Sequence, residues 1–142
     1  MTAAIRLAEI RTSPLSVDEV IGAVSAAEHG GIAVFLGTVR DHDEGRGVRL
    51  LEYSAHPTAA AELQRVMSEV VAEAPTAAIA AIHRVGTLQV GDVAVIVAAA
   101  AAHRDEAFQI GRTLIDRIKA EVPLWKRQQF DDGASIWVGA CE

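Results

Sequence analysis

Apolar residues recur along this chain at two different spacings, and each spacing predicts the element that carries it. Ile5 to Ile10 reads as a short first strand. Ser16-Val17-Asp18-Glu19 has capping-box spacing, which predicts a helix from there to about His29, stopped by Gly30-Gly31. Ile32 to Val39 is a buried-strand run, followed by a polar loop from Asp41 to Gly47. Val48 to Ser54 reads as a strand paired with that run, giving a hairpin with a long tip. Pro57 suits the first turn of a second helix ending near Glu73. Ala78 to Val85 and Val93 to Ala100 are two further strands, turned by Gln89-Val90-Gly91-Asp92. A third helix is predicted from Arg104 to Glu121, with Ala107, Phe108, Leu114, Ile115, Ile118 and Val122 on one face and Pro123 ending it. Ser135 to Ala140 is the last strand. Strand pairs separated by single helices, rather than strict βαβ repeats, predict an α+β fold.

Length and composition narrow the picture. The 142 residues fit one domain, 1–142, able to bury roughly two-thirds of its unfolded surface. Half the residues are hydrophobic but only six are aromatic, so the core is built from small and aliphatic side chains. A net charge of −6 disfavours a phosphate backbone as partner, so no nucleic acid is expected. A single cysteine excludes an internal disulfide and a cysteine-built zinc site. The longest apolar run, Val93 to Ala102, is far short of the ~20 residues a membrane span needs, and the N-terminus lacks a signal peptide's apolar core. The reading is a soluble cytoplasmic protein with no membrane contact.

The basic residues are unevenly chosen: eleven arginines against two lysines, Lys119 and Lys126. Codon bias accounts for the scarcity of lysine but not for the closeness of the two that remain. Where charge alone suffices the chain uses arginine, so a retained lysine is a candidate for amine chemistry. Lys119 also suits the last turn of a helix as a dipole cap, and Lys126-Arg127 could be a solvated pair. If Pro123 folds the chain back, however, the two amines and the Arg127 guanidinium converge near Trp125, and neighbouring cations ease deprotonation of a lysine. Gly37-Thr38-Val39-Arg40 ends a buried strand in an arginine, either an ordinary strand end or an anion clamp. His103-Arg104 opens a helix, where free N–H groups favour an anion, although Asp105 and Glu106 already complement that dipole. Cys141 has no activating neighbour and is set aside as a sulfur carrier. His29, His42, His56 and His83 show no metal-ligand spacing, and no phosphate or dinucleotide glycine motif is present, so no metal or cofactor is expected.

In order and spacing, several segments together resemble the catalytic large subunit of molybdopterin synthase. They are Phe35-Leu36-Gly37-Thr38-Val39-Arg40, Leu51-Glu52-Tyr53, Ile82-His83-Arg84-Val85-Gly86 and Val90-Gly91-Asp92. Ala102-His103-Arg104, Ala107-Phe108, Lys119, Pro123-Leu124-Trp125-Lys126-Arg127 and Trp137-Val138 complete the match, which covers nearly the whole chain. The resemblance implies an α/β-hammerhead-like fold, mostly antiparallel with three helices, and a homodimer within a heterotetramer. It also implies a small ubiquitin-like sulfur carrier whose C-terminal Gly-Gly thiocarboxylate delivers sulfur to cyclic pyranopterin monophosphate, forming the dithiolene of molybdopterin. By matching position, Lys119 and Lys126 are the catalytic pair, and Thr38, Val39, Arg40, His103, Arg104, Lys119, Lys126, Arg127 and Gln128 line the substrate site. Thr38 and Gln128 stand where some members carry a charged residue, and Ala140 where some carry an arginine.

A phosphate-bearing substrate fits an acidic chain only if cations gather locally, and Arg40, Arg104, Lys126 and Arg127 can supply them. Two rival readings are a docking subunit without chemistry and a phosphate-pocket hydrolase. The lysine pair speaks against the first, and the lack of a metal or Ser-His-Asp pattern against the second. Fifteen helical residues from Arg104 to Lys119 would span roughly 22 Å, too far for both to hold one small pterin. A site shared between two subunits resolves this, with His103 and Arg104 of one chain completing the pocket of the other.

Overall fold

The computed structural model describes residues 4–139. The elements run β1 Ile5–Arg11, α1 Val17–Val24, β2 Gly31–Thr38, β3 His42–Asp43, β4 Arg46–Ala55, α2 Ala59–Glu73, β5 Ala78–Arg84, β6 Gly86–Gln89, β7 Val93–Ala101, α3 Arg104–Glu121, β8 Leu124–Phe130 and β9 Ser135–Gly139. One sheet has the order β1-β5-β7-β2; the other has β3-β4-β8-β9, with β6 also pairing β4. Only β1 with β5 is parallel among these pairings. The architecture is the expected α+β one, three helices against mostly antiparallel strands. Among the described residues no helix is long and apolar enough to cross a membrane.

Alanine sets the packing of the first sheet. Ala78, Ala80, Ala98 and Ala100 face α1 and bury Val20 and Val24. The opposite face offers Ile79, Ala81, Val97 and Ala99 to α2 and α3, which bring Leu63, Val66, Met67, Leu114 and Ile118. With no bulk beyond a methyl at most of these positions, the helices lie close to the strands. A Cβ at Gly111 of α3 would be 3.7 Å from the Ala33 methyl and 3.8 Å from that of Ala99. A third small cluster, Val39, Leu51, Leu88 and Ala94, joins the two sheets.

Several expectations need correction. β2 and β4 do not form a hairpin: β2 pairs with β7 and β4 with β6 and β8. The polar loop between them instead folds on itself, pairing Asp43 with Arg46 across Glu44 and Gly45, both at positive φ (51° and 78°). That two-residue turn closes β3 onto β4 and leaves β2 free to lie along the fully apolar β7. Helix α1 is as capped as expected, Ser16 Oγ accepting from the Glu19 N–H at 3.2 Å, but stops at Val24 rather than near His29. Ser25, in extended conformation, donates from its hydroxyl to the Ile21 carbonyl at 2.7 Å, and the His29 ring lies 3.1 Å from the Val24 carbonyl. Those side chains satisfy the last carbonyls before the glycines are reached. Pro57 precedes the N-cap Thr58 of α2 instead of sitting in its first turn. On α3, Ile110 takes the core position and Phe108 is 66% exposed. β6 and β8 were not foreseen as strands.

Candidate functional site

Where β2 leaves the first sheet, a backbone clamp fixes the chain. The Val39 N–H donates to the Asp92 carbonyl (3.0 Å) and its carbonyl accepts from Gly91 N–H (2.9 Å). Gly91 can serve there because its φ is +90°. The Val39 side chain is buried with Leu51, Leu88 and Ala94, so it packs the junction between sheets and does not line a pocket. Its neighbours Thr38 and Arg40 do border one, a cavity of about 350 Å³ between the sheets and α3. Arg40 pairs with Asp43 at 3.2 Å yet its side chain stays 64% exposed, placing a cation at the mouth.

Two other elements supply the lysines. Helix α3 contributes Ile115 and Ile118 to the wall and then Lys119, in its last turn. Pro123 follows and β8 begins at once, running antiparallel to β4. Strand alternation then decides which side chains enter the cavity: Leu124, Lys126 and Gln128 do, while Trp125 and Arg127 point to the other face. Arg127 bonds Glu52 at 2.9 Å and its guanidinium lies 5.5 Å from the Trp137 ring centre, its cross-strand neighbours on β4 and β9. Thus Thr38, Arg40, Lys119, Lys126 and Gln128 come together, while Val39 and Arg127 face elsewhere.

His103 and Arg104 are also absent from this cavity. His103 is the N-cap of α3, Arg104 its first residue, and both are exposed. The helix runs unbroken through 18 residues, so Arg104 and Lys119 stand at opposite ends, about 22 Å apart along the axis. Cys141 and Ala140 lie outside the described residues.

Two cavity residues escaped the sequence reading of the site. His83 on β5 is 9% exposed, its Nδ1 2.8 Å from the Arg84 carbonyl. Burial, with the nearby Lys119 charge adding to it, lowers its pKa from 6.5 to about 4 despite the bond to that carbonyl. Tyr53 on β4 meets the His83 ring edge-on at 4.9 Å between centroids, and burial raises the phenol's pKa. The available signal was a lone histidine in an otherwise apolar strand, Ala78-Ile79-Ala80-Ala81-Ile82-His83, where a buried polar group calls for a partner or a task.

Chemically, the cavity offers two amines and a guanidinium to an anionic ligand, and an apolar wall that strengthens their fields. The family model described as MoaE protein matches residues 10–121. A molybdopterin synthase catalytic subunit 1 from Mycobacterium tuberculosis is 46% identical over 127 residues, covering 89% of this chain and 86% of that one. The molybdopterin synthase catalytic subunit of Bacillus subtilis is 36% identical, covering 92% and 83%. The crystal structure of molybdopterin synthase from Staphylococcus aureus superposes with a TM-score of 0.87 at 32% identity, covering 92% of this chain and 96% of that one. A chain from the complex of subunits 1 and 2 of the Helicobacter pylori molybdopterin-converting factor shares the fold at TM-score 0.74 and 18% identity, covering 96% and 90%. The chain belongs to the MoaE family, and the relatives it matches are molybdopterin synthase catalytic subunits.

Proposed function

We propose that this chain is the sulfur-transferring subunit of a molybdopterin synthase. It takes sulfur from the Gly-Gly thiocarboxylate of a small ubiquitin-like carrier and delivers it to cyclic pyranopterin monophosphate, in the cytoplasm. The observation that carries the reading is that the chain's only two lysines border one cavity, reached from a helix end and a strand on either side of Pro123. Arg40 and Lys126 balance the substrate's phosphate in a chain whose overall charge is −6. Lys119, beside the apolar wall of Ile115 and Ile118, suits proton transfer and stabilisation of the oxyanion that forms when a thiocarboxylate is attacked. The relative from Helicobacter pylori was solved as a complex of two different subunits, which fits a carrier partner.

Within this reading the chain works as a homodimer inside a heterotetramer. His103 and Arg104 of a second copy complete the cavity holding Lys119 and Lys126, because the straight α3 keeps them from their own chain's cavity. Incubating the protein with thiocarboxylated carrier and pterin precursor, and following dithiolene formation by mass spectrometry, tests the proposal. Carrier binding without product would leave the docking reading; release of phosphate alone would favour a hydrolase.

A further inference from the structure

His83 sits in the cavity wall among groups that fix its chemistry. Its Nδ1 lies 2.8 Å from the carbonyl of the next residue, Arg84, so that nitrogen carries the proton and donates. In the neutral ring the other nitrogen, Nε2, is then an acceptor at the end of the side chain farthest from the backbone. Tyr53 holds the ring from β4 by an edge contact at 4.9 Å. Among the described residues the sole buried side-chain nitrogen or oxygen without a partner is the Arg84 Nε, so Nε2 is not a buried orphan. From α3, Lys119 is close enough that its charge opposes protonation of the ring.

A purely structural histidine would be an odd choice here. The Nδ1 bond runs to the adjacent residue and ties no distant element together. A phenylalanine would fill the same place in an apolar strand without the cost of burying two nitrogens. What the bond does accomplish is to fix the tautomer and the ring's direction, as outer-shell partners of functional groups do.

We propose that His83 is a positioning residue for Lys119: its unprotonated Nε2 accepts a hydrogen bond from the Lys119 amine during turnover and orients that amine into the cavity. The inference rests on the reading of Lys119 as the reacting amine. The Lys119 charge opposes a charge on the ring, whereas the bond to the Arg84 carbonyl favours one. Lys126 from β8, Arg40 and His42 line the same cavity, and the neighbouring strands β1 and β7 pair His83 with Ile10 and Val95. On its own strand Arg84 is already paired with Asp92 at 3.5 Å. The ring thus stays neutral across the pH range in which a lysine amine changes state, and offers a constant acceptor.

The test uses the full chain with thiocarboxylated carrier and pterin precursor. His83→Phe keeps the ring's bulk and the contact with Tyr53 but removes both nitrogens. His83→Gln keeps an acceptor near the Nε2 position. His83→Phe is expected to lower kcat about 10- to 100-fold, the usual weight of a hydrogen bond to a charged group, with KM for the pterin within about twofold. The lysine limb of the kcat–pH profile should move to lower pH, because the ammonium loses an acceptor, and His83→Gln should recover most of both effects. Equal impairment by Phe and Gln with an unmoved pH limb would overturn the proposal. So would ¹⁵N shifts placing the proton on Nε2, a readout that does not depend on how either variant folds. Full activity of Lys119→Ala itself would instead remove the underlying reading of the site, an outcome read separately from the His83 variants.

Discussion

Lys126 and Arg127 are adjacent in the chain and face opposite sides of β8, Lys126 toward the cavity and Arg127 onto Glu52 and Trp137. The period of two in a strand separates two cations that the sequence presents as a pair. Their losses should therefore differ in kind. On the proposed function, Lys126→Ala removes a charge-assisted contact to the substrate's phosphate and should raise KM for the pterin about 10- to 100-fold, with a smaller effect on kcat. Arg127→Ala should change KM little in comparison and cost ~0.5 kcal/mol of stability, as a half-exposed cross-strand ion pair does. Steady-state kinetics alongside denaturant titration separates the two. A fall in kcat for Lys126→Ala at unchanged KM would contradict this division of labour.

Lys119 offers a sharper contrast, because charge and amine chemistry can be tested apart. Lys119→Ala should abolish sulfur transfer while leaving the circular dichroism spectrum unchanged, since the residue ends α3 and is not part of its buried face. Lys119→Arg keeps the positive charge and the helix-end position but cannot lose its proton at working pH. It should remain at least ~100-fold below the native rate, the usual scale of acid–base catalysis. Near-normal turnover of the arginine variant would show that charge alone suffices.

His83 also makes a pH-dependent contribution to stability. Its folded-state pKa is depressed from 6.5 to about 4, chiefly by burial. Between these values the unfolded chain binds a proton that the folded chain does not. The contribution is therefore fully present above pH 6.5 and declines as the pH falls toward 4. The shift corresponds to ~3 kcal/mol at most. Glu121, held down to about 2 chiefly by its bond to Arg117, loses its own contribution as the pH falls from 4.5 toward 2, and so below pH 5.0. Denaturant midpoints at pH 6.5 and 5.0 should accordingly converge for His83→Gln and separate for the native protein. Equal slopes in the two would place the acid sensitivity elsewhere.

What the sequence disclosed followed from how plainly each segment's period was written. Helix α3 was legible to its bounds because Ala107, Leu114, Ile115 and Ile118 keep one face and Pro123 ends it. β8 was not, since Leu124, Lys126, Gln128 and Phe130 turn inward and alternate with Trp125, Arg127 and Gln129, so polar residues on both faces obscure the alternation. The pairing of β2 was misjudged because adjacency in sequence favoured β4. The positive-φ turn at Glu44-Gly45 closes a smaller hairpin instead and hands β2 to β7. For the site, residue type singled out the lysines; His83 was marked only by being the lone histidine of an apolar strand, and position in the fold added Tyr53. A buried histidine is chemically informative only once its neighbours are known.

The separation of Arg104 from Lys119 leads to the most direct test of assembly. Both are matched to the same substrate site, yet one opens and the other closes an uninterrupted helix. Bending that helix would need a proline, a glycine pair or an inserted side chain, and Gly111 is its sole glycine. If the cavity is completed by a second copy, Arg104→Ala damages the site its own chain lends to, and Lys119→Ala damages the site its own chain houses. Each homodimer is then inactive at both sites. In a heterodimer the two losses fall on one site and leave the other intact. Random exchange makes half the dimers mixed, so about a quarter of native activity should return on mixing equal amounts. Exchange is verified independently by native mass spectrometry of differently tagged chains. Activity that stays at the level of the single variants, while tagged chains demonstrably exchange, would rule out the shared site and require each chain to bind its substrate without the distant helix end.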